Sequence, residues 1–112
     1  MEMHEERLEG GVVLMALRGR LDPTTGGQVE ARLLALLAPE VRTMILDLGG
    51  VDYISSAGLR VLLVVGKQLR ERRGQLMLCS VQQYVKQVLD LSGFSTLFPQ
   101  CASREDALAA VG

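Results

Sequence analysis

The sequence predicts a small mixed α/β domain, with a largely parallel sheet of four to five strands and about four helices. Short apolar runs of strand type alternate along the chain with segments whose apolar residues recur at helical spacing. The 112 residues suffice for one hydrophobic core and are too few for two domains. We therefore expect a single domain over residues 1–112.

Charge and composition limit the classes of partner. The net charge is −1 and basic residues are interspersed with acidic ones, whereas a nucleic-acid-binding surface needs a basic stripe. No apolar run approaches the roughly 20 residues of a membrane span, and residues 1–7 are too charged for a signal peptide. Cys79, Cys101 and His4 lack the spacing of a metal site. We expect a cytoplasmic protein without a metal, a cofactor, or a direct nucleic-acid or membrane partner.

The N-terminal part predicts a hairpin. Residues 3–8 are weakly strand-like, Glu9-Gly10-Gly11 is typical of a turn, and the apolar run 12–17 predicts a central strand.

A helix is predicted next, from about Thr24 to Leu37, because apolar residues recur there on one face. The members of that face are Val29, Leu33, Leu36 and Leu37. Two patterns could begin the helix: Thr25-x-x-Gln28 fits a capping box, and Asp22 before Pro23 fits an N-cap.

The remaining chain alternates in the same way. Its predicted elements are strand 43–48 before Gly49-Gly50, a helix to about Arg73, strand 75–79, a helix opened by Ser80-x-x-Gln83 and ended by Ser92-Gly93, an edge strand 96–98, and a final helix 103–111. Gly74 is expected to be the C-cap of the first of these helices, since glycine has no Cβ. In the final helix, the residues expected to face inward are Ala107, Leu108 and Val111.

The stretch from Val51 to Leu63 joins the third strand to its helix, and we expect a loop through Tyr53. The apolar residues then switch to helical spacing, on a face formed by Leu59, Leu62, Leu63, Gly66 and Leu69. Ser55 or Ser56 is the natural N-cap, because its hydroxyl can accept a bond from an unpaired backbone N–H. A helix N-terminus also tolerates a phosphate, since it carries partial positive charge and free donors.

Asp47-Leu48 followed by Val51-x-Tyr53-Ile54-Ser55-Ser56-x-Gly58-Leu59 resembles the signature of STAS domains, the sulphate-transporter and anti-sigma-factor-antagonist domains. The resemblance spans nearly the whole chain and is strongest to the free-standing bacterial anti-sigma factor antagonists. It implies that Ser56, just before x-Gly-Leu, is phosphorylated by a partner kinase. Many members have aspartate before that serine, whereas this chain has Ser55, so Ser55 is the alternative acceptor. The structural alternative is that Ser56 only caps the helix.

Gly19-x-Leu21-Asp22 is similar to the family's loop between the second strand and the first helix. The resemblance implies that Asp22 lies near the phosphorylation site and contacts the partner. A turn-forming or capping aspartate is the alternative.

The function implied by the resemblance is that of an anti-sigma factor antagonist working by partner switching. The unphosphorylated chain would bind an anti-sigma factor that is also an ATP-using serine kinase, releasing a sigma factor that it contacts only indirectly. Phosphorylation of Ser56 would dissociate the pair, and a serine phosphatase would restore the active form. The alternative is a constitutive STAS adaptor in another signalling complex.

Helical spacing also predicts a docking face on the motif helix. Ser56, Arg60, Val64, Lys67 and Glu71 line up opposite the apolar side. We expect Val64 to anchor a partner while Arg60 and Lys67 steer it. The alternative is that Val64 is one of the scattered exposed apolar residues of any surface.

Gly58 is unexpected in the first turn of a helix, where glycine is less stable than alanine by roughly 0.5–1 kcal/mol. Two causes are open: close approach of a partner, or tight packing against the Asp22 loop. We favour the partner, in which case the Gly58→Ala variant should fold as well as the wild type.

We expect no enzyme. A hydrolase that used Ser56 as its nucleophile would need a base within reach, yet the single histidine is His4 and no G-x-S-x-G pattern is present.

Overall fold

The computed structural model describes residues 1–111. Within them the strands are β1 (Glu2–Leu8), β2 (Val12–Leu21), β3 (Thr43–Ile54), β4 (Gln75–Cys79) and β5 (Gln100–Cys101), and the α-helices are α1 (Gly26–Ala35), α2 (Ser56–Glu71), α3 (Gln83–Ser92) and α4 (Arg104–Val111). The sheet order is β1-β2-β3-β4-β5, with β1 antiparallel to β2 and the other pairs parallel. The predicted α/β fold is confirmed.

The central strands are nearly all apolar because the sheet is covered on both faces. Helices α1, α2 and α3 pack on one face over the larger core. Helix α4 covers part of the other face, where Ala107 contacts a smaller cluster. The other buried members of that cluster are Leu14, Ile45, Met77 and Cys79. No helix within residues 1–111 combines the length and apolar character needed to cross a membrane.

The hairpin forms as predicted, with Gly10 and Gly11 at φ of 76° and 73° in its turn. Helix α1 is shorter than predicted, because the chain first makes a turn around Asp22. Thr25 is the residue that precedes the helix, yet its side chain makes no capping hydrogen bond, so the predicted capping box does not form.

Strand β3 continues to Ile54, so the prediction of a strand ending at 48 and a loop through Tyr53 is wrong. Two β-bulges in β3 each add one residue relative to β2. They place Leu48, Val51 and Ile54 in the core at intervals of three rather than two. The pairs that show the shifts are Ala16 with Asp47, Arg18 with Gly50, Gly19 with Val51, and Arg20 with Tyr53.

Gly74 is not the left-handed residue at the end of α2. Arg73 takes that conformation, with φ of 62°. The Gly74 N–H donates to Leu69 O at 2.7 Å, and the Arg73 N–H donates to Arg70 O at 3.0 Å, which is the Schellman arrangement. A Cβ on Gly74 would overlap the carbonyl oxygen of Arg42, so glycine is required there for close packing.

Three further predictions in the C-terminal half are wrong. Helix α3 begins at Gln83 after an uncapped Gln82, whereas Ser80 has φ of 58° and ends β4 rather than opening a helix. Residues Phe94–Thr96 form a 3-10 turn, Phe98 is buried, and the edge strand is Gln100–Cys101. Leu108 is exposed, while Ala107 is buried as predicted and Val111 is half-buried.

Helix α2 is rotated slightly from its predicted orientation. Val61 and Val65 are buried together with Leu62 and Leu69, whereas Leu63, predicted to face inward, is 44% exposed. The apolar pattern was broad enough to fit either orientation, and packing against the sheet decided between them.

Candidate functional site

The predicted site lies where the carboxyl ends of β2 and β3 meet the start of α2. The Ser55 N–H donates to Leu21 O at 2.9 Å, which ties the last residue of β2 to the first turn of the motif helix. Asp22 directly follows Leu21, so the structure brings the Asp22 loop and the serine pair together. In sheets of this type the carboxyl ends of parallel strands are the usual place for a functional site.

The two serines have separate roles in the structure. Ser55 is the N-cap of α2, and its Oγ accepts a 3.4 Å hydrogen bond from the Gly58 N–H. Ser56 is the first helical residue and is exposed, with no side-chain hydrogen bond recorded among residues 1–111. Ser56 therefore presents a free hydroxyl, because its neighbour satisfies the helix end.

Asp22 is half-buried and organises its own loop. Its Oδ1 accepts bonds from the Thr24 N–H at 2.9 Å and from the Thr24 hydroxyl at 2.6 Å. Arg20 Nε lies 3.8 Å from Asp22 Oδ2. The hydrogen bond from the Thr24 hydroxyl is the main cause that lowers the Asp22 pKa from its ordinary value. Asp22 thus stays ionised beside the serine pair and shapes the turn that leads into α1.

Gly58 is explained by packing within the protein. It is buried, and a Cβ there would lie 2.7 Å from Ile54 Cγ1 and 2.8 Å from Leu21 Cγ. The start of α2 therefore sits directly on the ends of β2 and β3. Our preference for partner approach as the cause, with an unimpaired Gly58→Ala fold, is corrected in favour of the packing alternative.

The predicted docking residues lie along α2 with different exposures. Arg60 and Lys67 are exposed, whereas Val64 is half-buried. Together with Ser56, the two cations occupy the side of the helix opposite the core.

A cluster that the sequence analysis did not identify lies at the same edge of the sheet. The Tyr53 ring stacks with Tyr84 at a centroid separation of 6.2 Å, and the Arg20 guanidinium lies 4.2 Å from the Tyr53 centroid. Tyr84, at the start of α3, is 51% exposed. The chain has only two tyrosines, and both therefore lie beside this site. Their small number was the one feature of the sequence that could have drawn attention to this cluster.

Polar and thiol groups elsewhere have structural roles. Arg104 donates to Asp47 at 2.9 Å and joins α4 to β3. Burial raises the pKa of Cys79 to about 11, so its thiol stays protonated at neutral pH. Residues 1–111 contain no cluster of three or more groups suited to hold a metal ion.

Comparison with known proteins identifies the family. Residues 5–107 match the STAS domain family. A Bordetella bronchiseptica protein provisionally named anti-sigma factor antagonist BtrV is 43% identical over 110 residues, covering 98% of this chain and 94% of the relative. The structure of unphosphorylated SpoIIAA, an anti-sigma factor antagonist, superposes with a TM-score of 0.85 at 22% identity, covering 98% of this chain and 96% of that one.

The phosphorylated form of SpoIIAA, described as a Bacillus cell fate determinant, superposes with a TM-score of 0.77 at 22% identity, over 99% of this chain and 100% of that one. These structural likenesses show a shared fold. The match to the family and the 43% identical relative establish that this chain is a STAS domain of the anti-sigma factor antagonist family.

Proposed function

We propose that the unphosphorylated chain binds an anti-sigma factor that is also an ATP-using serine kinase, and so releases a sigma factor for transcription. Phosphorylation of Ser56 ends the binding, and a metal-dependent serine phosphatase restores the active form. The chain acts in the cytoplasm as a phosphoryl acceptor and is not the catalyst. The names of its relatives and the two forms of SpoIIAA support this proposal.

The observation that carries the proposal is the division of roles between the serines. Ser55 caps α2, while Ser56 is exposed with a free hydroxyl. In the transfer, Ser56 Oγ forms a bond to the γ-phosphorus of ATP and loses its proton to the kinase, and ADP departs. Because Ser56 is not the cap, modification removes no hydrogen bond that holds the helix.

The expected effect of the phosphate on the chain differs from its effect on the interface. A phosphoserine carries about −1.5 to −2 charges at neutral pH, which the N-terminus of α2 accommodates. The same dianion lies on the proposed docking face formed by Asp22, Ser55, Arg60, Val64 and Lys67. A partner surface complementary to a neutral hydroxyl would then meet a bulky negative group. The fold is retained and the binding is lost.

Incubation with the purified anti-sigma factor kinase and Mg-ATP, followed by phosphopeptide mapping, tests the proposal. We expect one phosphate, on Ser56, and none on Ser56→Ala. Ser55→Ala is the matched control and should still be phosphorylated. A phosphate confined to Ser55 would show that the acceptor is misassigned, whereas stable binding with no phosphate on either serine would indicate a constitutive adaptor.

A further inference from the structure

The exposed side of α2 is strongly basic. Arg60, Lys67 and Arg70 are exposed, and the five ion pairs found within residues 1–111 include none of them. Glu71 is the single acidic residue of the helix. In a chain of net charge −1, this concentration of unpaired cations on one helix favours an acidic surface as its complement.

An apolar pocket of about 550 Å³ opens beside these cations, between α2 and the segment that follows the 3-10 turn. Leu63 and Leu97, which are 44% and 40% exposed, line it together with the buried Phe98. The Phe98 ring packs against the Gly66 backbone, where a Cβ would overlap it. The charged residues that line the pocket are Lys67, Arg70 and Glu71. The pocket thus combines an apolar interior with a mainly basic rim.

The pocket belongs to the same face of α2 as Ser56. At 100° per residue, Ser56, Arg60, Leu63, Lys67 and Arg70 fall within an arc of about 80°. Ser56 and Arg70 are separated along the helix by about 21 Å. Val64 lies about 40° outside this arc. It is also half-buried, so Leu63 is better placed than Val64 to contact a partner.

We propose that this pocket receives an apolar side chain of the anti-sigma factor, from a segment whose carboxylates face Arg60, Lys67 and Arg70. This inference rests on the proposed function and identifies the surface that performs it. A stable interface buries about 800 Å² on each partner, more than the few side chains around Ser56 can supply. Such interfaces usually have a buried apolar anchor surrounded by polar contacts, and opposite charges across them speed association.

Calorimetric titration of the purified anti-sigma factor kinase, in the presence of ADP and Mg²⁺, tests the pocket. Leu63→Ala should weaken binding at least tenfold, while Leu91→Ala, which removes a 90% exposed leucine on α3, should leave it unchanged. Arg70→Glu should weaken binding strongly at low salt, with Lys86→Glu on α3 as the charge-reversal control. The melting temperature of each variant shows whether it is folded.

The outcomes separate this inference from the proposed function. If the wild type binds the kinase and Ser56 is phosphorylated, yet Leu63→Ala binds as well as Leu91→Ala, the pocket inference is wrong and the proposed function stands. Failure of the wild type to bind contradicts both. The alternative occupant of the pocket is a second copy of the chain, and sedimentation tests it by measuring the oligomeric state. If the wild type is a dimer and Leu63→Ala is a monomer, a second copy fills the pocket and the inference is overturned.

Discussion

At the scale of single residues, the two serines at the start of α2 have different tasks: one caps the helix and the other is the proposed phosphoacceptor. One serine could not easily do both. A hydroxyl that caps a helix has its lone pairs directed at the backbone, whereas a phosphoacceptor must project into solvent. Ser55 accepts from the Gly58 N–H, and Ser56 is exposed. From the sequence, either serine could cap the helix, because serine is a preferred N-cap residue at both positions.

Stability measurements on the two serine variants test this division. Ser55→Ala removes the cap and should lower the free energy of unfolding by about 0.5–1 kcal/mol, at the low end for caps because the bond is 3.4 Å long. Ser56→Ala should change it by less than about 0.5 kcal/mol. Urea denaturation of both variants gives the comparison. The opposite order would assign the cap to Ser56.

Gly58→Ala should lower the free energy of unfolding by about 1–3 kcal/mol, because the added methyl group meets Ile54 and Leu21. Gly27→Ala in α1 is the matched control. Apart from its chain neighbours and the nearby backbone of α1, no atom lies within 4 Å of a Cβ built there, so that variant should be neutral or more stable by up to about 1 kcal/mol. Equal stabilities in chemical denaturation would contradict the packing explanation of Gly58.

The Asp22 carboxyl provides a prediction on pH. Thr24→Val removes the hydroxyl bond that is the main cause of the lowered pKa, so the Asp22 pKa should rise towards its ordinary value. Because the folded pKa lies below the unfolded one, the bonded carboxylate stabilises the fold above the unfolded pKa. That stabilisation is lost as the pH falls through the folded pKa. NMR titration of the Asp22 carboxyl carbon checks the shift; an unchanged pKa in Thr24→Val would rule out this cause.

At the scale of elements, periodicity predicted the order of the strands and helices but misplaced several boundaries. Strand β3 looked complete at Leu48 because two bulges give the next core residues a spacing of three, which does not match a strand. Gly49-Gly50, at the first shift, fits a bulge as well as a strand end, and the register with β2 distinguishes the two. Ser80 fitted a capping pattern, yet it follows β4 with a φ of 58°, and its N–H donates to Cys101 O at 3.2 Å.

Helix α4 packs on the face of the sheet away from α2, which predicts that the two can be perturbed separately. Arg104→Ala removes the ion pair with Asp47 and should cost about 1 kcal/mol of stability, since the guanidinium is partly exposed to solvent. Binding of the anti-sigma factor kinase and phosphorylation of Ser56 should be unchanged. A tenfold loss of kinase binding by a folded Arg104→Ala protein would show that the docking face extends to α4.

At the scale of the whole molecule, the family resemblance predicted which edge of the sheet carries the candidate site. Asp22 and the serine pair do meet at the ends of β2 and β3, through the bond from Ser55 to Leu21. Arg60 and Lys67 were predicted on the outer side of α2 and are exposed there, whereas Arg70 and the pocket were missed. Phe98 was predicted to lie in an edge strand, and the exposure of Leu63 depends on the rotation of α2 against the sheet.

In the proposed switch, a phosphate on Ser56 abolishes docking while the fold is retained. The most direct test compares unmodified and Ser56-phosphorylated protein, each titrated with the purified anti-sigma factor kinase and each melted under the same conditions. We predict at least a tenfold weaker affinity for the phosphorylated form, with a Tm within about 4 °C of the unmodified form, equivalent to less than about 1 kcal/mol. Equal affinities would contradict this switch, as would a loss of binding that accompanies unfolding.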